Sequence, residues 1–239
     1  MKKAENFPRS TAYRRKNLNA VFELQNEPDL ALRTKDRSFD ETAEYFAKWV
    51  GAAGKIMKEE GVPLGVNVSG GNSALRFIES TLRSAGPLIN LFLDHPYVWP
   101  REIHPDGRTC GNPEDGGFEK SMKAATSLVK KYRPDSRFGI GEIGYAVSTK
   151  NKFGHLSDQR YAAYLARIMI LADTYVKNDV IIWYAMINAF EGDGYDYGLW
   201  RNVSGAKPSA AVASYAQAIR ALSGRTSKIE QKLKGQICE

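Results

Sequence analysis

The sequence predicts an α/β protein built on a parallel sheet, and three observations carry that prediction. Five short apolar stretches with strand character recur along the chain. Each is followed by a longer stretch whose apolar residues return at helical spacing. The strand-like stretches are apolar almost throughout instead of alternating, which marks strands buried on both faces, as in a parallel sheet covered by helices.

The elements follow in order. "LNAVFELQ" (18–25) reads as the first strand and runs into "NEP", where Pro28 breaks it. In "SFDETAEYFAKWVGAAGKIMKEEG", Ser38 and Glu41 have the spacing of a capping box. Phe39, Thr42, Phe46, Trp49, Val50, Ala53, Ile56 and Met57 then share one helical face, and Gly61 ends the helix. "PLGVNVSG" (63–70) is the second strand, and "NSALRFIESTLRSAG" the second helix. "LINLFLDHPY" (88–97) is the third strand. The loop 98–117 after it far exceeds the usual connection of ~4–6 residues, and loops of that length are often functional. "FEKSMKAATSLVKKY" places Phe118, Met122, Ala125, Val129 and Tyr132 on one face. "RFGIGEIGYAV" (137–147) is the fourth strand, followed by a helix with Tyr161, Leu165, Ile168 and Ala172 in register. "VIIWYAMINAF" (180–190) is the fifth strand, and "KPSAAVASYAQAIRALS" the last helix. A closed α/β barrel and an open doubly wound sheet both fit this pattern.

Composition narrows the function. Of 239 residues, 43 % are hydrophobic and 26 % charged, as in an ordinary globular protein able to bury a sizeable core. The formal charge of +7 is scattered, with no basic stripe interleaved with aromatics, so no nucleic-acid partner is expected. No apolar run reaches the ~18–20 residues of a membrane span, so no membrane partner is expected. The start, "MKKAENFPRS", lacks the apolar core of a signal peptide. Two cysteines, Cys110 and Cys238, make neither a disulfide framework nor a zinc site, and the compartment stays undetermined. No strand is followed by a GxGxxG or GxxxxGK[ST] loop, which disfavours a nucleotide site. "NVSGGN" is not the GxSxG elbow of a serine hydrolase.

Polar residues gather at the strand ends: Asn26 and Glu27 after the first, "DHPY" (94–97) after the third, Glu142 on the fourth, Trp183 and Tyr184 on the fifth. Ligands bind at the carboxyl ends of strands in both barrels and open α/β sheets. Two carboxylates without a cluster of metal ligands suggest acid/base and nucleophile chemistry, with no cofactor and no metal. Such a pair splits a glycosidic bond: one carboxyl, kept protonated, donates to the leaving oxygen, and the other attacks the anomeric carbon.

"LQNEP" followed three strands later by "GIGEIGY" resembles clan A of the glycoside hydrolases, nearest families 5 and 39. "DHPY" is similar to the family's His-x-Tyr motif, Trp183 to its strand-eight aromatic, and "YGLWRNVSGAKPSAAVASY" to its closing segment, where Lys-Pro precedes the last helix. The resemblance covers residues 18–222. It implies a TIM-type (β/α)8 barrel present as strands four to eight, with 1–17 an irregular lead-in, 18–224 the domain and 225–239 a charged tail.

It further implies a retaining hydrolase of a β-linked oligo- or polysaccharide, with Glu27 as acid/base and Glu142 as nucleophile. Asn26 would bond the hydroxyl next to the reacting carbon. His95 and Tyr97 would line the site, with Tyr97 holding Glu142, and Trp183 would floor the sugar subsite. Trp99 and Trp200 are candidate outer platforms, and Glu23 is read as a buried structural carboxylate with a partner. His104 and His155 fall in loops. Family members are often secreted. An unclosed sheet presents two edges through which copies could associate. A fragment of a longer product is the expected explanation of the missing strands; a wall supplied by a partner, or a non-catalytic carbohydrate-binding or scaffold protein, are the alternatives.

Overall fold

The computed structural model describes residues 21–97, 102–103, 109–110, 113–114, 117–145, 158–177, 179–187, 196–201 and 207–223. The expected lead-in and charged tail, Trp99, His104 and His155 lie outside them. Five parallel strands form the sheet: β1 (Phe22–Glu23), β2 (Leu64–Val68), β3 (Leu91–Asp94), β4 (Arg137–Ile143) and β5 (Ile181–Trp183). They hydrogen-bond in the order β1-β2-β3-β4-β5, which is also their order along the chain. Phe22 pairs with Leu64, Gly65 with Leu91, and Leu91 with Arg137. This is the parallel α/β arrangement of TIM-barrel type that the sequence predicts. The α-helices are α1 (Pro28–Ala31), α2 (Phe39–Glu59), α3 (Gly71–Ala85), α4 (Phe118–Tyr132) and α5 (Asp158–Val176), which lie between strands, and α6 (Ala210–Leu222), which follows the last. Among the described residues no helix is long and apolar enough to cross a membrane.

The chain packs as two compact units. The first comprises Met1–Pro96 and Ser121–Gly141. Its longest helix, α2, starts where its sequence says. The Ser38 N–H donates to Glu41 Oε2 at 2.8 Å and the Glu41 N–H to Ser38 Oγ at 3.2 Å, a reciprocal capping box. It ends on Gly61 at φ 69°, with Val62 N–H bonded to the Met57 carbonyl and Gly61 N–H to that of Lys58. That is a Schellman motif, whose left-handed residue favours glycine. Phe46, Val50 and Met57 of α2, Phe77 and Ile78 of α3, Val66 and Phe92 of the sheet are all fully buried. Trp49, expected on the buried face, is instead 37 % exposed and lies 5.3 Å from the Tyr45 ring, one turn away on the helix surface.

The second unit comprises Tyr97–Lys120 and Glu142–Glu239. Tyr161, Leu165, Ile168 and Ala172 of α5 are buried as their spacing predicts. Helix α6 packs along α5. Two short antiparallel ribbons join Glu102–Ile103 with Thr109–Cys110, inside the stretch read from sequence as loop, and Trp200–Arg201 with Lys207–Pro208, where the sequence predicts the start of the last helix.

Candidate active site

In the first unit the chain leaves β1 and turns at Glu27. Pro28, whose fixed φ suits the first turn of a helix, opens α1 behind it. Glu27 caps that turn at φ 43° and ψ 60°, in the left-handed region. For a residue with a Cβ this costs about 1–3 kcal/mol, and such strain concentrates at functional sites. Fixed contacts hold it there. The Glu27 N–H donates to Asn67 Oδ1 at 2.6 Å, and the Glu27 carbonyl accepts the N–H groups of Leu30 and Ala31 at 2.9 and 2.8 Å. Asn67 sits in the middle of β2, fully buried; its Nδ2 donates to the Gln25 carbonyl at 2.8 Å and to Glu23 Oε1. Glu23 therefore has the partner expected of it but is exposed, because β1 ends beside it. Asn26 is exposed, and its carbonyl accepts the Gln25 side-chain amide at 3.1 Å.

The Glu27 carboxyl meets His95: Oε1 lies 3.0 Å from Nδ1. The imidazole is 1 % exposed and the carboxyl 22 %. His95 is pinned by its own N–H, which donates to the Val68 carbonyl at 3.0 Å, and by two glycines. A Cβ on Gly141 would stand 2.7 Å from His95 Nε2 and 3.1 Å from Leu93 Cβ. A Cβ on Gly70, itself at φ 82°, would stand 2.5 Å from the His95 carbonyl oxygen. Beside His95 in sequence, Asp94 is fully buried, and neither carboxyl oxygen has a hydrogen-bond partner among the described residues. Burial pushes this carboxyl up to about 7, His95 nearby pulls it partly back, and Asp29 adds to the push. Asp29 is itself held by the Ser69 N–H at 3.0 Å and hydroxyl at 2.5 Å.

In the second unit Glu142 lies near the end of β4, half-buried, and accepts the Tyr97 hydroxyl on Oε2 at 2.8 Å. The Tyr97 ring stands edge-on to Tyr184 and Tyr197, with centroids 6.4 and 6.0 Å away. Tyr184 and Tyr197 are 5.5 Å apart. Tyr161 anchors this group from below by donating its hydroxyl to the Tyr197 carbonyl at 2.8 Å. The Tyr184–Ala185 peptide is cis.

Trp183, expected as a sugar platform, is 6 % exposed. Its indole N–H donates to the Tyr161 hydroxyl at 3.2 Å, and its rings pack on Tyr145 and Tyr161. Successive side chains of a strand point to opposite faces. With Trp183 turned toward α5, it is Tyr184 that joins Tyr97 on the Glu142 side. Sequence reasoning placed Tyr184 at the end of the fifth strand without giving it a role, and missed Asn67. The signal for Asn67 was its place as a lone amide inside the apolar run "GVNV". Trp200 is half-buried in its ribbon.

No family model and no curated protein matches the sequence. Solved structures match in fold. A GH128 (subgroup I) endo-beta-1,3-glucanase from Amycolatopsis mediterranei, in complex with laminaritriose, is similar over 87 % of this chain and 76 % of its own, at 15 % identity and a TM-score of 0.58. The beta-glycosidase of Thermosphaera aggregans is similar over 91 % of this chain and 59 % of its own, at 12 % identity and a TM-score of 0.65. AbfB, a family 51 alpha-L-arabinofuranosidase from Bifidobacterium longum, is similar over 82 % of this chain and 44 % of its own, at 13 % identity and a TM-score of 0.59. The chain thus shares the parallel α/β fold of TIM-barrel glycoside hydrolases.

Proposed function

We propose that the chain is a retaining glycoside hydrolase acting on a β-linked glycan, with Glu27 as general acid/base and Glu142 as nucleophile. The observation that carries the reading is the different chemistry built around the two carboxyls. Glu142 is paired with a hydroxyl donor, Tyr97, which suits a group that must stay ionised and aimed. Glu27 is paired with an imidazole, His95, which can hold or return a proton. The glycosidase fold supports the reaction class, and the endo-beta-1,3-glucanase and beta-glycosidase among the neighbours support a β-linked substrate.

In the first step the Glu142 oxygen not held by Tyr97 attacks the anomeric carbon. The glycosidic C–O bond breaks, and the Glu27 proton passes to the leaving oxygen. In the second step Glu27, now a carboxylate, takes a proton from water. The water oxygen bonds to the anomeric carbon, and the bond to Glu142 breaks. Net configuration is retained. Double displacement requires the two carboxyl groups ~5–5.5 Å apart, against ~6.5–9.5 Å for inversion. Asn26 is assigned to the sugar hydroxyl next to the reacting carbon. The Tyr184 ring, not Trp183, is assigned to the sugar face, because stacking needs an accessible ring.

The test is hydrolysis of aryl β-glycosides and of β-1,3-glucan by the unmodified chain and by Glu142→Ala. Loss of a covalent nucleophile should lower the rate on the order of a thousandfold or more. Activity surviving Glu142→Ala at the unmodified level removes the assigned nucleophile. Sugar binding without turnover in the unmodified chain leaves a carbohydrate-binding protein.

A further inference from the structure

We propose that Asn67 is a positioning residue for the acid/base step: its side-chain amide holds Glu27 in the left-handed backbone conformation that sends the carboxyl to His95. The inference rests on the glycosidase reading for its catalytic half, and on geometry alone for its structural half.

Glu27 has two reasons to leave its conformation. A Cβ disfavours positive φ. A following proline pushes the preceding residue toward extended backbone. Relaxation to φ near −120° would swing the Glu27 side chain off the line to His95 and withdraw the Glu27 N–H from β2. Against this stands one buried amide with both ends engaged. Oδ1 accepts the Glu27 N–H at 2.6 Å, while Nδ2 donates to the Gln25 carbonyl at 2.8 Å and to the Glu23 carboxylate. The polarity admits one orientation. Rotated by half a turn, the amide would set N–H against N–H at Glu27 and oxygen against oxygen at Gln25 and Glu23. The amide spans residues 23, 25 and 27, so it fixes the path of the chain out of β1 as well as its last torsion. It is also rigidly mounted. Asn67 is fully buried in a strand paired on both sides, opposite Leu93, two residues before His95. The strand that carries Asn67 also accepts the His95 N–H through Val68. Residues 67 and 68 therefore seat both partners of the Glu27–His95 contact.

The experiment has two arms on the full chain. The first compares kcat/KM of the unmodified chain and Asn67→Leu on aryl β-glycosides of graded leaving group. A dinitrophenolate departs without a proton, whereas an alkyl alcohol needs the acid. Asn67→Leu should lose roughly a hundredfold on alkyl glycosides and only a few-fold on dinitrophenyl glycosides. Equal losses on both, or no loss on either, overturn the catalytic role.

The second arm needs no activity and covers a variant that folds poorly. It is a thermal double-mutant cycle with Glu27→Gly, because glycine takes positive φ without strain. The Tm loss from Asn67→Leu should be clearly larger in the Glu27→Gly background, because with Glu27 present part of the loss is offset by the strain its backbone releases. Additive shifts overturn the proposal. If the unmodified chain hydrolyses no glycoside, the glycosidase reading falls, and the cycle still decides whether Asn67 holds Glu27.

Discussion

His95 Nδ1 and Glu27 Oε1 lie 3.0 Å apart, a contact that closes 68 residues of sequence. The ring is almost wholly removed from water, while the carboxyl keeps a solvent-facing part. The acid/base role proposed for Glu27 would need that combination: a partner that does not wander and a carboxyl that can be reached. His95→Ala should lower kcat/KM on alkyl β-glycosides by roughly ten- to a hundredfold and on dinitrophenyl glycosides much less, measured by initial rates. Equal losses on both would make His95 merely a packing residue.

Replacing Tyr97 by Phe removes one hydroxyl and keeps the ring against Tyr184 and Tyr197. A hydrogen bond to a charged group contributes about 1.5–3 kcal/mol, so kcat/KM should fall roughly ten- to a hundredfold on every substrate whatever its leaving group. The Tm should move by no more than a few degrees. An unchanged kcat/KM would disconnect Tyr97 from the reaction.

Glu27→Ala makes a separate prediction. With the second step deprived of its base, a small anion that needs no deprotonation should replace water. Azide should accelerate turnover of a dinitrophenyl β-glycoside and yield the β-glycosyl azide, identified by NMR. An α-azide would mean a single displacement, and no acceleration would place the acid/base elsewhere.

How much of this was legible in the sequence depended on range. The capping box at Ser38 and Glu41 and the Gly61 terminus are local hydrogen-bond patterns, and the helix follows them residue for residue. The fifth strand was read as 180–190 because the run is apolar throughout, yet the ladder holds only Ile181–Trp183. Apolar patterning reports burial and not hydrogen bonding, so it overruns strand ends. Trp183 was misjudged for a related reason: composition does not say which face of a strand a side chain takes, and one residue's difference exchanges core for site. The left-handed Glu27 ran against the local rule, since Pro28 predicts an extended residue before it. Tertiary contact from Asn67 overrides that preference. The pairing of Glu142 with Tyr97 was accessible only through family resemblance and that of Glu27 with His95 was not foreseen, because nothing local links residues so far apart.

Asp94 gives the pH dependence. Its carboxyl titrates at about 7 in the folded chain, against an ordinary value of 3.8, because burial disfavours the charge. The folded chain therefore binds the proton more tightly than the unfolded chain. Between about pH 4 and pH 7 stability falls as pH rises, and above that window the whole cost, on the order of several kcal/mol, is present. Asp94→Asn keeps the shape and cannot ionise. Thermal unfolding from pH 4 to pH 8 should show the Asn variant gaining Tm at pH 8 and little at pH 4. Parallel Tm curves for the two proteins would show that Asp94 stays ionised, or stays protonated, across the range.

Gly141 and Gly144 flank the segment that carries Glu142, and each touches something that cannot yield. A methyl on Gly141 would strike the imidazole; one on Gly144 would fall 2.2 Å from the Tyr184 carbonyl oxygen. The backbone on either side of Glu142 therefore leaves little room for any side chain. Saturation libraries at these two positions should return glycine almost exclusively, and useful diversity has to be sought among the aromatic rings on the far side of Tyr97.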